Sequence, residues 1–128
     1  MAVAFNHTII FAKDKVLSAD FFARIFGVAP PRPMWSFMTI MLENGVALDF
    51  ANRDGDIASQ HYAFLVSDED FDGILVRIEA EQVPYWADPA KSLPQQINRN
   101  DGGRGVYFHD PAGHFLEAIT RPYGSGAA

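Results

Sequence analysis

Cysteine is absent from the 128 residues of this sequence, and basic side chains are few. Without cysteine the chain has no disulfide framework, no thiolate nucleophile and no zinc–thiolate site. Lys and Arg number 10 against 16 Asp and Glu, so the formal net charge is −6, and no basic cluster is present. Nucleic-acid binding depends on basic side chains that neutralise phosphates. We therefore expect no nucleic-acid partner.

Long apolar runs are also missing. No stretch approaches the ~18 apolar residues that a membrane-spanning helix needs. The first residues do not combine a charged segment with an apolar block, so no signal peptide is evident. These absences lead us to expect a cytoplasmic protein with no membrane partner.

The sequence does contain enough apolar material for one folded domain. Hydrophobic residues make up 48% of the chain and aromatic residues 13%. Half of this length, about 60 residues, is marginal for independent stability. We expect a single domain at residues 1–128, made of modules 1–58 and 59–123 with a flexible tail at 124–128.

One short pattern occurs twice in the chain. HTIIFAKD runs from His7 to Asp14, and HYAFLVSD runs from His61 to Asp68. In each copy a His begins an apolar, strand-like run and an Asp ends the segment. The repetition predicts two modules with the same fold.

A second pattern closes each copy. GVALD at residues 45–49 and GHFLE at residues 113–117 share a glycine, a leucine and a final acid. Asp49 and Glu117 therefore take equivalent positions, as the two histidines do. If the halves fold alike and face each other, these two acids and two histidines converge on one point.

Apolar periodicity and turn residues predict the same order of elements in both halves. The first half has predicted strands at 5–12, 35–42 and 46–52 and a helix at 19–26, between Ser18 as N-cap and Gly27. Pro30, Pro31 and Pro33 exclude regular structure in their segment, so a further strand there is poorly marked.

The second half has a predicted helix at 69–82 with Asp68 as N-cap, and strands at 61–67, from 85, at 105–109 and at 115–120. Its additional residues lie in a polar loop at 88–104. Loops of that length are commonly functional or disordered.

Strand alternation indicates how the acids are placed. Asp49 shares its face with Ala47 and Ala51, while bulky neighbours point the other way, which is typical of a cavity wall. Glu117 lies between two apolar neighbours on its own face. Burying an unpaired charge there is costly, so its carboxylate needs a cation, a hydrogen-bond donor or water.

The residue types of the repeat favour a divalent metal. Imidazole and carboxylate suit Zn, Fe, Mn, Ni or Co and leave coordination positions open for water or substrate. A lone His on an apolar strand is more often a core residue, but its repetition together with an acid favours a shared site. We predict one metal held by His7, His61, Asp49 and Glu117. Glu117 and Asp49 are the predicted catalytic groups, because a carboxylate beside the metal acts as a general base.

Other side chains are weaker candidates. We expect His109 to contact a loop or solvent and His114 to be a solvated turn residue. Aromatic residues usually pack in a core, and loop residues often form turns, but both kinds also line substrate pockets. The predicted substrate-binding residues are Trp35, Phe37, Trp86, Asn98, Arg104 and Tyr107.

The paired units, the two strand-opening histidines and the stretch GVYFHDPAGHFLE at residues 105–117 resemble the vicinal oxygen chelate superfamily. This superfamily includes glyoxalase I, extradiol dioxygenases, fosfomycin resistance enzymes, methylmalonyl-CoA epimerase and bleomycin resistance proteins. The resemblance runs from about Phe5 to Tyr123. Its Asp-Pro-x-Gly-His-x-x-Glu stretch is fairly specific for the superfamily and poorly specific for the reaction.

The resemblance implies an α+β fold of two βαβββ modules, whose curved mixed sheets surround a metal-binding cavity. By position, His7, His61 and Glu117 match the common metal triad, and Asp49 matches a fourth ligand that is Glu in glyoxalase I. Small members usually form swapped homodimers. His7 and Asp49 would then come from one chain, and His61 and Glu117 from its partner.

Two histidines with two acids look most like glyoxalase I, in which a carboxylate moves a proton between adjacent carbons. The resemblance thus implies a metal-dependent lyase or isomerase acting on a small substrate that chelates through vicinal oxygens. No glutathione-binding set of basic residues is evident, which argues against lactoylglutathione lyase itself. The alternatives are an extradiol-type dioxygenase and a metal-independent, bleomycin-resistance-like protein that binds an antibiotic near Trp35 and Trp86.

Overall fold

A computed structural model describes residues 1–126, which form two compact units with the same order of elements. The first unit is Met1–Ile57, and the second begins at Ala58. The first contains β1 (His7–Ala12), α1 (Lys15–Phe26), β2 (Arg32–Met34), β3 (Phe37–Met41) and β4 (Ala47–Asn52). The second contains β5 (His61–Leu65), α2 (Asp68–Ala80), β6 (Tyr85–Trp86), β7 (Gly105–His109) and β8 (Phe115–Ile119). Each unit is a βαβββ module, as predicted.

The two sheets are mixed and have equivalent strand orders, β1-β4-β3-β2 and β5-β8-β7-β6. Parallel pairing places Ile9 opposite Asp49 in one unit and Ala63 opposite Glu117 in the other. In both units the strand-opening histidine lies two residues before the partner of the acid. The repeat in the sequence is therefore a repeat in strand register, and the predicted α+β fold is confirmed.

Helix α1 begins earlier than its apolar pattern predicts. Asp14 is the N-cap, and its Oδ1 accepts the backbone N–H groups of Val16 at 3.0 Å and Leu17 at 3.1 Å. Ser18, the predicted N-cap, lies buried inside the helix. The apolar pattern missed the first turn because Val16 and Leu17 face solvent there. Gly27 follows the last turn in the left-handed conformation, as expected.

The cap of α2 is also shifted by one residue. Ser67 Oγ accepts the N–H of Asp70 at 3.0 Å, so Ser67 is the N-cap and Asp68 is the first helical residue. Asp68 still lies in the first turn, where an acid interacts favourably with the helix dipole.

Asp14 provides a test of the α1 boundary. Replacing Asp14 by Ala removes the acceptor of two N–H groups and should lower the free energy of unfolding by about 0.5–2 kcal/mol. Asp20→Ala is the matched control, because Asp20 is an exposed acid further along the same helix. Chemical denaturation curves measure both variants. An equal loss for the two would contradict the capping role of Asp14.

The proline-rich segment contains a short strand, which corrects the expectation of irregular structure there. β2 pairs antiparallel with β3, and Pro33 lies opposite Met38. Proline is tolerated because β2 is an edge strand, where one side of the backbone needs no sheet partner.

Each unit buries apolar side chains of its helix and of one sheet face. In the first unit, Phe22 of α1 contacts Phe50 of β4, with ring centroids 6.3 Å apart. In the second unit the fully buried side chains include Phe71, Ile74 and Ile78 of α2 and Val106 and Phe108 of β7. In β5, by contrast, His61 and the residues that alternate with it are exposed. The histidines therefore lie on the sheet faces that the helices leave open.

Within residues 1–126, neither helix is long and apolar enough to cross a membrane. The backbone N–H groups of Gly124 and Gly126 point to Asp101 Oδ1, at 3.0 and 3.4 Å. The last two residues of the predicted tail, Ala127 and Ala128, lie outside the described residues.

Candidate metal centre

Glu117 is the most completely buried acid of the candidate set, with 0% of its surface exposed. It lies on β8, between β5 and β7. Its Oε1 lies 3.0 Å from Nε2 of His61, and its Oε2 accepts a hydrogen bond from the hydroxyl of Tyr123. The hydroxyl of Tyr107 lies 3.0 Å from that of Tyr123. Both oxygens of the buried carboxylate thus have partners, as its burial requires.

The second nitrogen of His61 defines its tautomer. Nδ1 lies 2.9 Å from the carbonyl oxygen of Phe115, and a carbonyl oxygen only accepts, so Nδ1 carries a hydrogen. In the neutral ring, Nε2 then has a lone pair that faces a lone pair of Glu117 Oε1. Two facing lone pairs repel each other, so this approach is favourable only when a proton or a metal ion lies between the two atoms.

The spacing of these two atoms suits a metal. Nitrogen and oxygen ligands lie about 2.0–2.2 Å from a divalent transition-metal ion, so two ligands at the right angle of octahedral coordination are about 3.0 Å apart. The separation of His61 Nε2 and Glu117 Oε1 is 3.0 Å. A metal-binding His usually donates its other ring N–H to a backbone carbonyl, a carboxylate or water, as His61 Nδ1 does to the Phe115 carbonyl. The His61–Glu117 pair therefore fits a divalent metal.

The first unit has a corresponding arrangement. His7 is exposed at the start of β1, and its Nδ1 lies 2.7 Å from Asn6 Oδ1, an acceptor, which leaves the lone pair on Nε2. Asp49 is buried and its Oδ1 accepts a 2.7 Å hydrogen bond from the Thr39 hydroxyl. Thr39 lies opposite Asp49 in the sheet, as Tyr107 lies opposite Glu117. Each unit thus supplies one His whose Nδ1 contacts an oxygen atom and one buried acid that accepts a hydrogen bond from a hydroxyl group.

The structure brings together one of the two His–acid pairs directly, that of His61 and Glu117. Within residues 1–126 no three His, Cys, Asp or Glu side chains lie close enough to hold a metal together. The predicted four-residue set of His7, Asp49, His61 and Glu117 stays a prediction.

Aromatic rings surround the His61–Glu117 pair. Strand register places His61, Phe115, Tyr107 and Trp86 on one face of the second sheet, which we call the histidine face. The ring of Phe115 lies 5.4 Å from Tyr107 and 6.1 Å from His61. Burial raises the pKa of Tyr107, which keeps its phenol protonated. The histidine face is therefore an apolar surface with one buried carboxylate.

His109 also lies on the histidine face, as part of this aromatic group. Its ring is 4.7 Å from Phe115 and 5.9 Å from Trp86, and its Nδ1 contacts the backbone carbonyl of Gly113 at 3.2 Å. His109 thus makes the predicted contact with a loop, through Gly113, and also packs against two aromatic rings of the sheet.

The first-unit aromatic candidates lie near the β2–β3 turn. Trp35 is 92% exposed and has a left-handed backbone with φ of 51°, while Phe37 is half-buried at the start of β3. Exposure leaves Trp35 available to a ligand or partner.

Arg104 binds to α2. Its guanidinium lies 2.6 Å from Asp72, 3.3 Å from Asp68 and 4.7 Å from the ring centroid of Phe71. The hydrogen bond with Asp72 is the main cause that raises the pKa of Arg104. Alternation from Tyr107 also assigns Arg104 to the helix side of the sheet. Its contacts fix the start of β7 against the helix.

Asn98 connects the long loop to Ala87, just after β6, and to Gly105, the first residue of β7. Its Nδ2 donates to the carbonyl of Ala87 at 2.8 Å, and its backbone exchanges hydrogen bonds of 2.9 and 3.0 Å with Gly105. These contacts give Asn98 a turn-forming role, one of the two roles considered for the loop residues.

His114 is buried, which corrects its interpretation as a solvated turn residue. Only 1% of its surface is exposed, and its Nδ1 accepts the N–H of Gln60 at 3.0 Å. Its own N–H donates to Asp110 Oδ1 at 2.8 Å. Burial raises the pKa of Asp110, and the hydrogen bond from His114 opposes that rise. The neighbouring glycine suggested a solvated turn, but Gln60 binds the ring and Tyr62 of β5 packs edge-on against it, with ring centroids 5.8 Å apart.

Three residues of the site were not predicted. Thr39 was accessible from the sequence, because a hairpin centred on Asn44 pairs it with Asp49. Lys91 has its ammonium 5.4 Å from the ring centroids of Trp86 and Phe115, and no periodicity marks it within its loop.

Tyr123 follows β8, where alternation no longer applies. Burial is the largest cause that raises the pKa of Tyr123, and the hydrogen bond with Glu117 is the next. The phenol therefore remains protonated and can donate.

Solved structures show close likeness over the whole chain. The oxidase ChaP-H1 shares 52% identity over 96% of this chain and 99% of its own, with a TM-score of 0.94. The oxidase ChaP-H2 shares 52% identity over 99% of this chain and 100% of its own, with a TM-score of 0.95. Lactoylglutathione lyase from Agrobacterium tumefaciens, 19% identical with a TM-score of 0.69 over 97% of this chain and 96% of its own, shares the fold.

Other comparisons are less extensive. Glutathione transferase FosA of Serratia marcescens is 39% identical over 57 residues, which cover 44% of this chain. The match spans about a third, 33%, of the length of that curated relative. No protein-family profile matches the chain.

The two repeated βαβββ units have the fold of the vicinal oxygen chelate superfamily, which the solved lactoylglutathione lyase structure shares. By its full-length identity, the chain belongs to the vicinal oxygen chelate superfamily, in the family of the oxidases ChaP-H1 and ChaP-H2.

Proposed function

We propose that the protein is a metal-dependent oxidase that acts on a small substrate with two adjacent oxygen atoms. The observation that supports the metal dependence is the 3.0 Å separation of two atoms that can both bind a metal, His61 Nε2 and Glu117 Oε1. The reaction class follows from the 52% identity with two proteins named as oxidases. In such a reaction the substrate loses two electrons, and molecular oxygen accepts them.

We propose that His7, His61 and Glu117 hold one divalent metal, with Asp49 as a fourth ligand or as the base. In a homodimer, His7 and Asp49 come from one copy, and His61 and Glu117 come from the partner. Among Ni, Co, Zn, Mn and Fe, oxygen chemistry favours Fe or Mn. When bound, the metal would supply Lewis acidity toward the oxygen atoms of the substrate.

The side chains of the chain prepare this site. The Phe115 carbonyl orients the His61 ring, and the Tyr123 hydroxyl donates to the Glu117 carboxylate. Asp49, held by the Thr39 hydroxyl, accepts the proton of a substrate hydroxyl group. Asp is one methylene shorter than Glu, and its role as a base needs no direct contact with the metal.

The aromatic side chains exclude water and pack on the substrate. Phe115 and Trp86 present apolar surface on the histidine face, and the ammonium of Lys91 lies over both rings. The carboxylate of Asp88 fixes the turn that carries Lys91, since it accepts the N–H groups of Ser92 and Leu93. Hydrogen bonding with Ser92 lowers the pKa of Asp88, so this turn persists at neutral pH.

A lyase or isomerase is the second candidate, and a specific observation favours it. Asp49 and Glu117 occupy equivalent positions in the two sheets. Two acids related in this way suit proton transfer between adjacent carbons of an enediolate, which needs no oxygen.

Metal analysis and oxygen uptake test the proposal together. We expect near-stoichiometric Fe or Mn in protein purified without a chelator or His tag, measured by elemental mass spectrometry. With catecholic substrates, we expect oxygen consumption that stops when a chelator removes the metal.

The other outcomes identify the alternatives. Stoichiometric Ni, Co or Zn with turnover of hydroxycarbonyl substrates and no oxygen uptake would support the lyase. A chain that takes up no metal on titration, but whose tryptophan fluorescence is quenched by an aromatic antibiotic, would refute both enzymes and support a binding protein.

A further inference from the structure

Tyr123 reaches Glu117 from a segment that contributes little to the core. Its side chain is 58% exposed, yet its hydroxyl donates to Oε2 of the fully buried Glu117 and lies 3.0 Å from the hydroxyl of Tyr107. An exposed ring adds little burial free energy. The contribution of Tyr123 therefore lies in its hydroxyl group.

The segment at residues 121–126, here called the strap, is fastened to the long loop. Asp101 Oδ1 accepts the N–H groups of Gly124 at 3.0 Å and of Gly126 at 3.4 Å. Asp101 lies in the 3-10 turn Asn100–Gly102 and has a left-handed backbone, with φ of 57°. The Asp101 carboxylate thus holds the backbone of the residues that follow Tyr123, from Gly124 to Gly126.

A glutamate carboxylate needs such a constraint. Rotation about its terminal torsion is broad, so burial alone does not decide which oxygen points toward His61. A hydrogen bond from Tyr123 to Oε2 leaves Oε1 opposite His61 Nε2, as observed. Hydrogen bonds to the outer atoms of metal ligands commonly have this effect.

We propose that Tyr123 is a positioning residue for the Glu117 carboxylate, and that the strap holds Tyr123 in place through Asp101. The inference rests on the proposed metal site. It assigns a function in metal binding to a loop residue and a strap that contain none of the proposed ligands.

The first test is the affinity for Co²⁺ of chelator-treated full-length protein, measured by calorimetric titration. Replacing Tyr123 by Phe should weaken Co²⁺ binding about 10- to 100-fold, as is typical when an outer hydrogen-bond partner is lost. The variant should also lower the melting temperature of the metal-free protein, because Oε2 of the buried Glu117 loses a hydrogen-bond donor. The affinity is therefore titrated well below that temperature, where both proteins are folded. Tyr85→Phe removes a hydroxyl elsewhere in the same unit and should leave the affinity unchanged.

The second test acts on the strap alone. A Cβ atom at position 126 would overlap the backbone of Asp101, so Gly126→Ala should displace the strap and weaken Co²⁺ binding in the same direction. Gly45→Ala is the control, since an added Cβ there meets open space, and any backbone strain from the positive φ of Gly45 lies far from the strap in the chain. Asp101→Ala removes the acceptor without adding an atom and provides a second variant.

Glu117→Gln separates failure of this inference from failure of the proposed function. Wild-type affinity in Tyr123→Phe, with binding lost in Glu117→Gln, would overturn the positioning role and retain the metal site. Weakening in Tyr123→Phe but not in Gly126→Ala or Asp101→Ala would overturn the role of the strap. Undiminished binding in Glu117→Gln would overturn the metal site itself.

Discussion

Replacing Glu117 by Gln is expected to abolish both metal retention and turnover. The substitution keeps the size of the side chain and removes its charge, while His61 still presents Nε2 to the site. A neutral amide is a poor ligand for Fe, Mn or Zn, which prefer carboxylate and imidazole. The loss of affinity should exceed the roughly 10- to 100-fold loss typical of outer-shell changes. Elemental mass spectrometry of purified protein and an oxygen electrode measure the two effects.

Glu43→Gln is the matched control for this variant. Glu43 is an exposed acid in the β3–β4 turn, so the same chemical change there should leave metal content and turnover at the wild-type level. Wild-type metal content and turnover in Glu117→Gln would refute the assignment of the site.

Replacing Phe108 by Ala is expected to lower the free energy of unfolding by about 3–5 kcal/mol, which combines lost transfer free energy with the cost of a cavity. Phe108 is 0% exposed and lies opposite Leu116 on the interior strand β7. Total stabilities are commonly about 5–15 kcal/mol, so the loss is a large fraction of the whole. Equilibrium denaturation in urea, in metal-free protein, measures it.

Val76→Ala provides the comparison for the core variant. Val76 is an exposed residue of α2 in the same unit, and its truncation should change stability by less than about 0.5 kcal/mol. A similar loss in both variants would mean that burial does not determine the effect at Phe108.

The sequence was most informative where a periodic pattern repeats. Alternation in β4 and β8 and the helical spacing in α2 depend on local geometry, so they predicted the elements and the burial of Leu48, Phe50 and Phe71. The duplicated His and acid positions predicted the equivalent registers of the two sheets. Local geometry was less informative at element ends, where Asp14 and Ser67 compete with neighbouring residues as caps.

Contacts between residues far apart in the chain required the structure. Pro33 joins a strand because β2 occupies an edge, and strand order is a property of the whole unit. His114 is buried because Gln60 and the ring of Tyr62 in β5 lie against it. Arg104 binds Asp68 and Asp72 of α2, which are more than 30 positions earlier in the chain. No sequence pattern fixes such distances, since many chain paths satisfy the same periodicity.

The sequence by itself determined that two similar modules are present and that His7 and Asp49 are equivalent to His61 and Glu117, because both follow from a repeated local pattern. The superfamily, and with it the βαβββ order, followed from the resemblance of those patterns to a known family. Only the tertiary structure decided which atoms meet: the Nε2 of His61 and the Oε1 of Glu117 at 3.0 Å, and the Tyr123 hydroxyl on Oε2. The physical reason is that hydrogen-bond and coordination geometry operates over a few tenths of an ångström. That precision arises from the packing of strands, loop and strap together.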